Sequence, residues 1–132
     1  MKKYRLKIYP KGRGRTAYRV YEMRGDVNLS QLCSYILEMF RFDDDHMWEY
    51  CMTNKKYDRY GQTISASQAK RYTLDSMHLT ETQKFSLHYD FGDDWMFVIS
   101  VMKIEEADPR MKNRCIKEKG SVEQYPDFDD EW

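Results

Sequence analysis

The sequence predicts an α+β fold: a mixed or mainly antiparallel sheet with one main helix, about residues 29–40, packed on one face. Three stretches predict it. Residues 84–105 read as two β-like runs around an acidic, glycine-containing turn. Residues 29–40 carry apolar side chains at helical spacing. Residues 4–23 hold two further strand-like runs joined by a turn rich in Pro and Gly.

The 84–105 stretch organises the rest. Its first run alternates, with Phe85, Leu87, Tyr89 and Phe91 on one side and Ser86, His88 and Asp90 on the other. Its second run, 95–104, is apolar at nearly every position, the pattern of a strand covered on both faces and central in a sheet. Gly92 is expected to supply the backbone freedom for the reversal between them.

Tyr4, Leu6 and Ile8 alternate with Arg5, Lys7 and Tyr9, giving a first strand with one wet face. Pro10, Gly12 and Gly14 punctuate a turn, and residues 16–23 form a second, tyrosine-rich strand. Asn28 is placed as a helix N-cap, with Gln31 completing a capping box. Leu29, Leu32, Cys33, Ile36, Leu37 and Phe40 then line one helical stripe. Residues 46–52 read as a strand with Met47, Glu49 and Cys51 on one face. Residues 53–73 are polar and weakly patterned, an excursion or insertion with a short strand near 57–60. Residues 73–79 hold one helical turn anchored by Leu74 and Met77. A basic stretch, 110–119, precedes an acidic tail, 121–132.

At 132 residues the expectation is one domain with a real core. A composition 41% hydrophobic and 15% aromatic argues against disorder. Because no apolar run reaches about 18 residues, no transmembrane helix is expected. The start, basic but without an apolar segment after it, leads to an expected cytoplasmic location. Cys33, Cys51 and Cys115 are far apart in sequence, so no CxxC metal motif or disulfide framework is present. Net charge is +0, yet residues 1–25 hold nine cations against Glu22 alone, and residues 127–131 are acidic.

Two constellations are candidates for chemistry. Asp90, Asp93, Asp94 and Trp95 at the acidic turn, with His88 beside them and His46 after the Asp43-Asp44-Asp45 cluster, offer oxygen and nitrogen donors to a divalent metal. His46 reaches them if strand 46–52 neighbours strand 95–104. The same aspartates also suit a purely structural task, capping the turn through backbone N–H groups. Lys3, Arg5, Lys7, Arg13, Arg15 and Arg19, interleaved with tyrosines, form the second constellation, a candidate nucleic-acid surface. Trp48, Trp95, Met96 and Met102 are placed in the core, and Trp132 is a candidate docking residue. Asp90-Phe91-Gly92 matches the kinase DFG string by chance, for the other kinase motifs are missing.

Three segments carry a family resemblance: the helix followed by Phe40-Arg41-Phe42-Asp43-Asp44-Asp45-His46-Met47-Trp48-Glu49-Tyr50, then Tyr89-Asp90-Phe91-Gly92-Asp93-Asp94-Trp95, then Pro109-Arg110, Lys119-Gly120 and Gln124-Tyr125-Pro126. In order and spacing they resemble the Ri-plasmid ORF-three-like family of plasmid and insertion-element passenger proteins. This chain departs from the family pattern at Met96-Phe97-Val98, where a His is common, and in its short closing segment. The resemblance implies a compact α+β domain, carried on mobile elements, with no established catalytic mechanism. The expected function is therefore a non-enzymatic interaction module with a protein or nucleic-acid partner and no cofactor. The alternative is a small metal-binding protein or metal-dependent enzyme built on the acidic turn and its histidines.

Overall fold

The structure is a computed structural model and describes residues 1–57 and 61–126. Its elements run β1 (Lys2–Pro10), β2 (Tyr18–Arg24), α1 (Leu29–Met39), β3 (Trp48–Cys51), β4 (Thr63–Ser65), β5 (Lys84–Tyr89), β6 (Trp95–Glu106) and β7 (Arg114–Lys119). Single 3-10 turns lie at Ala69–Arg71 and Asp75–Met77. The strands form one sheet, ordered β4-β3-β5-β6-β1-β2-β7, and every pairing is antiparallel. With one helix against seven strands among the described residues, the protein is mostly sheet.

β6 is the middle strand, as its nearly continuous apolar run predicted. It pairs with β5 from Tyr89↔Trp95 to Lys84↔Ser100 and with β1 along the other edge. Directly paired residues share a face, so Tyr4, Leu6 and Ile8 lie with Val101, Ile99, Phe97, Leu87 and Phe85, and all are buried in one core. The helix stripe belongs to that core. The Tyr50 hydroxyl donates to the Leu29 carbonyl at 2.7 Å, and the Phe40 and Phe97 rings meet at 5.2 Å.

α1 begins at the predicted capping box. The Gln31 N–H donates to Asn28 Oδ1 at 2.8 Å, and the Asn28 N–H to Gln31 Oε1 at 2.9 Å. It stops at Phe40 because Arg41 turns left-handed (φ 59°), and the Phe42 N–H closes the end on the Leu37 carbonyl.

Several expectations are corrected. Gly92 does not carry the reversal: the left-handed residues are Asp90 (φ 64°) and Asp94 (φ 54°). A short carboxylate makes this conformation tolerable by bonding locally, and Asp90 Oδ1 accepts from the Gly92 and Asp93 N–H groups. Asp90 thereby breaks the strand alternation, and Phe91 is exposed on the His88 side, its ring 4.8 Å from the imidazole.

β3 does not touch β6, because β5 lies between them. The basic stretch contains β7, an edge strand exposed at every residue and so without an apolar signature. Thr16 and Ala17 belong to the preceding turn, their N–H groups bonded to the Arg13 carbonyl. Met102 is exposed, not core: Arg5 pairs with Lys103 but Leu6 with Val101, leaving Met102 the extra residue of a β-bulge. Residues 61–73 are tied into the core by Ile64 on β4 and by Ala69. The expected strand near 57–60 falls largely, and the expected Trp132 contact wholly, outside the described residues.

Candidate functional site

The strand register divides the candidate residues between two faces of the sheet. Lys3, Arg5 and Lys7 alternate on β1, away from the core. Paired neighbours bring Val20, Glu22 and, through β7, Arg114, Lys117 and Lys119 onto that same face, with Tyr9 and Tyr18 among them. Lys7 Nζ lies 4.7 Å from the Tyr18 ring centre and 5.4 Å from that of Tyr9, and Lys117 Nζ lies 5.8 Å from Tyr18. One buried acid sits within this cationic field. Glu22 accepts from Arg114 at 2.8 and 3.1 Å and lies 3.5 Å from both Lys3 Nζ and Arg5 Nη2. The Arg114 hydrogen bonds, with the Lys3 charge, hold its carboxyl below the usual range. The Arg5 Nε–H is buried without an acceptor among the described residues.

The six predicted basic residues do not all join this surface. Arg13 and Arg15 are exposed in the β1–β2 turn. Arg13 and the acidic turn face one another across a cleft of about 480 Å³ that Asp93, Asp94 and Trp95 also line. Arg19 pairs with Ile8 and lies on the core side. Its guanidinium is spent on the carbonyls of Met39 (3.3 Å), Tyr18 (2.9 Å), Lys119 (3.0 Å) and Gly120 (2.9 Å), and it stacks 4.8 Å from the Phe40 ring.

The acidic turn and its histidines also separate. His88 is fully buried on the β5 face opposite Tyr89. Its Nε2 lies 2.6 Å from Asp94 Oδ1 and its Nδ1 3.4 Å from Glu49 Oε2. Lys56 and Tyr57 reach the same Asp94 carboxylate at 3.3 and 2.9 Å, so residues 54–57 roof this part of the sheet. The hydrogen bonds from His88 and then Tyr57 keep the Asp94 carboxyl below its ordinary range. Cys51, two residues along β3 from Glu49, completes a Glu49–Cys51–His88 group whose donor atoms lie within 4.8 Å of one another.

His46 belongs to a second cluster. Its Nε2 is 2.6 Å from the Tyr125 hydroxyl, 3.3 Å from Asp45 and 3.5 Å from Asp90. The loop carrying it is organised by Tyr89, whose hydroxyl accepts from the Asp45 and His46 N–H groups at 3.0 and 3.2 Å and donates to the Asp43 carbonyl. Asp93 is exposed. Trp95 packs edge-on to Phe42 at 4.8 Å and stacks with Phe97. Asp90, Asp93, Asp94, His46 and His88 therefore do not converge on one cavity. Sequence reasoning placed Glu49 and Cys51 on a common strand face but had no register to bring them to His88; only the β3–β5 pairing, Glu49↔His88 and Cys51↔Ser86, does so.

Among the described residues no helix is long and apolar enough to cross a membrane. No curated protein matches the chain in sequence. In structure it is similar to a protein of unknown function from Methanosarcina mazei Go1, with a TM-score of 0.77 and 24% identity over 92% of this chain and 71% of that one. That likeness establishes the fold. The family described as plasmid pRiA4b ORF-3-like protein matches residues 2–130, spanning the three segments that carried the resemblance, and the chain belongs to that family.

Proposed function

We propose that this protein is a non-enzymatic, cytoplasmic interaction module that holds a single-stranded nucleic acid on the basic face of its sheet. The carrying observation is the shared register of Lys3, Arg5, Lys7, Lys117 and Lys119 around Tyr9 and Tyr18. A nucleic-acid strand needs cations spaced along its backbone and flat rings on which bases stack, and an open sheet face supplies both. On this reading α1 lies across the opposite face, leaving β1, β2 and β7 free for the ligand. The buried Arg5 Nε–H, without an acceptor among the described residues, is a donor that turning toward a phosphate would satisfy. The description of the family as plasmid-derived suits a partner of this kind, in a mobile-element setting.

The test is fluorescence anisotropy of labelled single-stranded DNA and RNA of about a dozen nucleotides. At about 50 mM salt, where the phosphate contribution is strong, the protein binds both more tightly than a duplex of the same length. Tyr18→Ala weakens binding by roughly tenfold, the loss of one stacked base. No binding at that salt, or capture of a protein partner through the same face instead, overturns the nucleic-acid assignment.

A further inference from the structure

We propose that Glu49, Cys51 and His88 form a binding site for a divalent transition metal of the zinc class, beneath the roof made by residues 54–57. This inference stands on the opposite half of the same sheet face and does not depend on nucleic-acid binding. β3 and β5 pair Glu49 with His88 and Cys51 with Ser86, so the three side chains leave the sheet on one side. Their carboxylate oxygen, thiol sulfur and imidazole nitrogen lie within 4.8 Å of one another.

The surroundings of His88 suit a bound cation. Its ring is fully buried, and Nε2 lies 2.6 Å from Asp94 Oδ1. On the other side of the ring Nδ1 lies 3.4 Å from Glu49 Oε2, so a nitrogen and a carboxylate oxygen stand side by side with the Cys51 sulfur near both. A cation between them would be bound by all three. Two ligands bound tetrahedrally at ~2.1 Å stand ~3.4 Å apart, the spacing found here.

The carboxylate–imidazole–metal chain that results is also how metal-bound histidines are commonly oriented, which makes Asp94 a positioning residue. Lys56 and Tyr57 fix Asp94 in turn. The rings of Tyr57 and Phe91 flank the imidazole at 5.1 and 4.8 Å.

The donor set selects the metal. One nitrogen, one sulfur and one oxygen suit zinc, cobalt or iron, whereas calcium and magnesium require oxygen cages. The aspartates of the turn, the more visible acids, are not the ligands: Asp90 is engaged by backbone N–H groups, and Asp94 acts through His88. Three protein ligands leave one tetrahedral position for water or an added group. The Glu49 side chain, 25% exposed, marks the side from which it enters.

The test uses the full chain with the exposed thiol removed by Cys115→Ser. After chelator treatment it is titrated with zinc by calorimetry and with cobalt by absorption spectroscopy. The expected result is about one equivalent of either metal, a thiolate-to-cobalt charge-transfer band and a raised melting temperature. Cys51→Ser abolishes the band. Glu49→Gln, a change at a partly exposed side chain, weakens zinc binding at least tenfold, and Asp94→Asn weakens it by about 10–100-fold. If Cys51→Ser fails to fold, Glu49→Gln decides the matter. A cooperatively melting protein that binds no zinc, or zinc binding unchanged in Glu49→Gln, overturns the site.

Discussion

Two N–H groups of Arg114 donate to a single oxygen, Oε1, of Glu22, at 2.8 and 3.1 Å, and this acid is buried while its partner is largely exposed. The contact joins edge strand β7 to β2 and, with Glu105 3.4 Å from Lys3, partly neutralises a face rich in cations. Glu22 is therefore both a structural tie and a brake on anion binding.

Glu22→Gln tests the structural tie. Its carboxyl is depressed below the ordinary 4.5, chiefly by Arg114, so the ionised acid adds stability that is fully present above that value. That contribution is lost as pH falls through the lower, folded value. We expect the variant to be about 1–3 kcal/mol less stable at neutral pH, with the gap closing as pH falls from about 4.5. Urea denaturation of both proteins across that range measures it. The same variant binds an anionic strand more tightly, because Arg5 and Arg114 are released, while Lys3 keeps its second acid, Glu105, at 3.4 Å.

Arg19→Lys is not a conservative change. One planar guanidinium bonds four carbonyls, including that of Met39 at the end of α1, and an ammonium cannot reproduce the fork. The expected loss is about 2–3 kcal/mol in chemical denaturation. Affinity for nucleic acid is unchanged in the folded variant, because Arg19 lies on the core side.

Tyr89→Phe removes one hydroxyl that serves three backbone groups, the Asp45 and His46 N–H groups and the Asp43 carbonyl. Leaving these unsatisfied costs about 1–3 kcal/mol. Hydrogen exchange locates the damage: the Asp45 and His46 amides lose protection, while those of β6 exchange as before.

What was legible in the sequence follows from the physics of each element. The hairpin and the central place of β6 were visible because an alternating run and a continuous apolar run are distinct signatures. α1 was visible from its stripe and its capping box. β7 was not, because an edge strand exposed along its whole length buries nothing that would mark it. β4, at three residues, is too short to show a period. The aspartates stood out in the sequence, yet Asp90 serves the backbone of the turn. Glu49 and His88 are 39 residues apart and meet only through strand register, which composition does not encode. The basic tyrosine-rich start is legible as a strand face, but which of its cations point outward is not: only the pairing with Ile8 places Arg19 on the core side.

The salt dependence of single-strand binding tests the central claim most directly. Each phosphate neutralised by a cation contributes about 0.7 to the slope of log K against log salt. The wild-type protein should show a slope of about −2 or steeper, as Arg5, Lys7 and Lys117 each meet a phosphate. Lys7→Ala with Lys117→Ala should make it shallower by about 1.4. A slope unchanged in the double variant, or no binding at low salt, contradicts the assignment of the basic sheet face as a nucleic-acid surface.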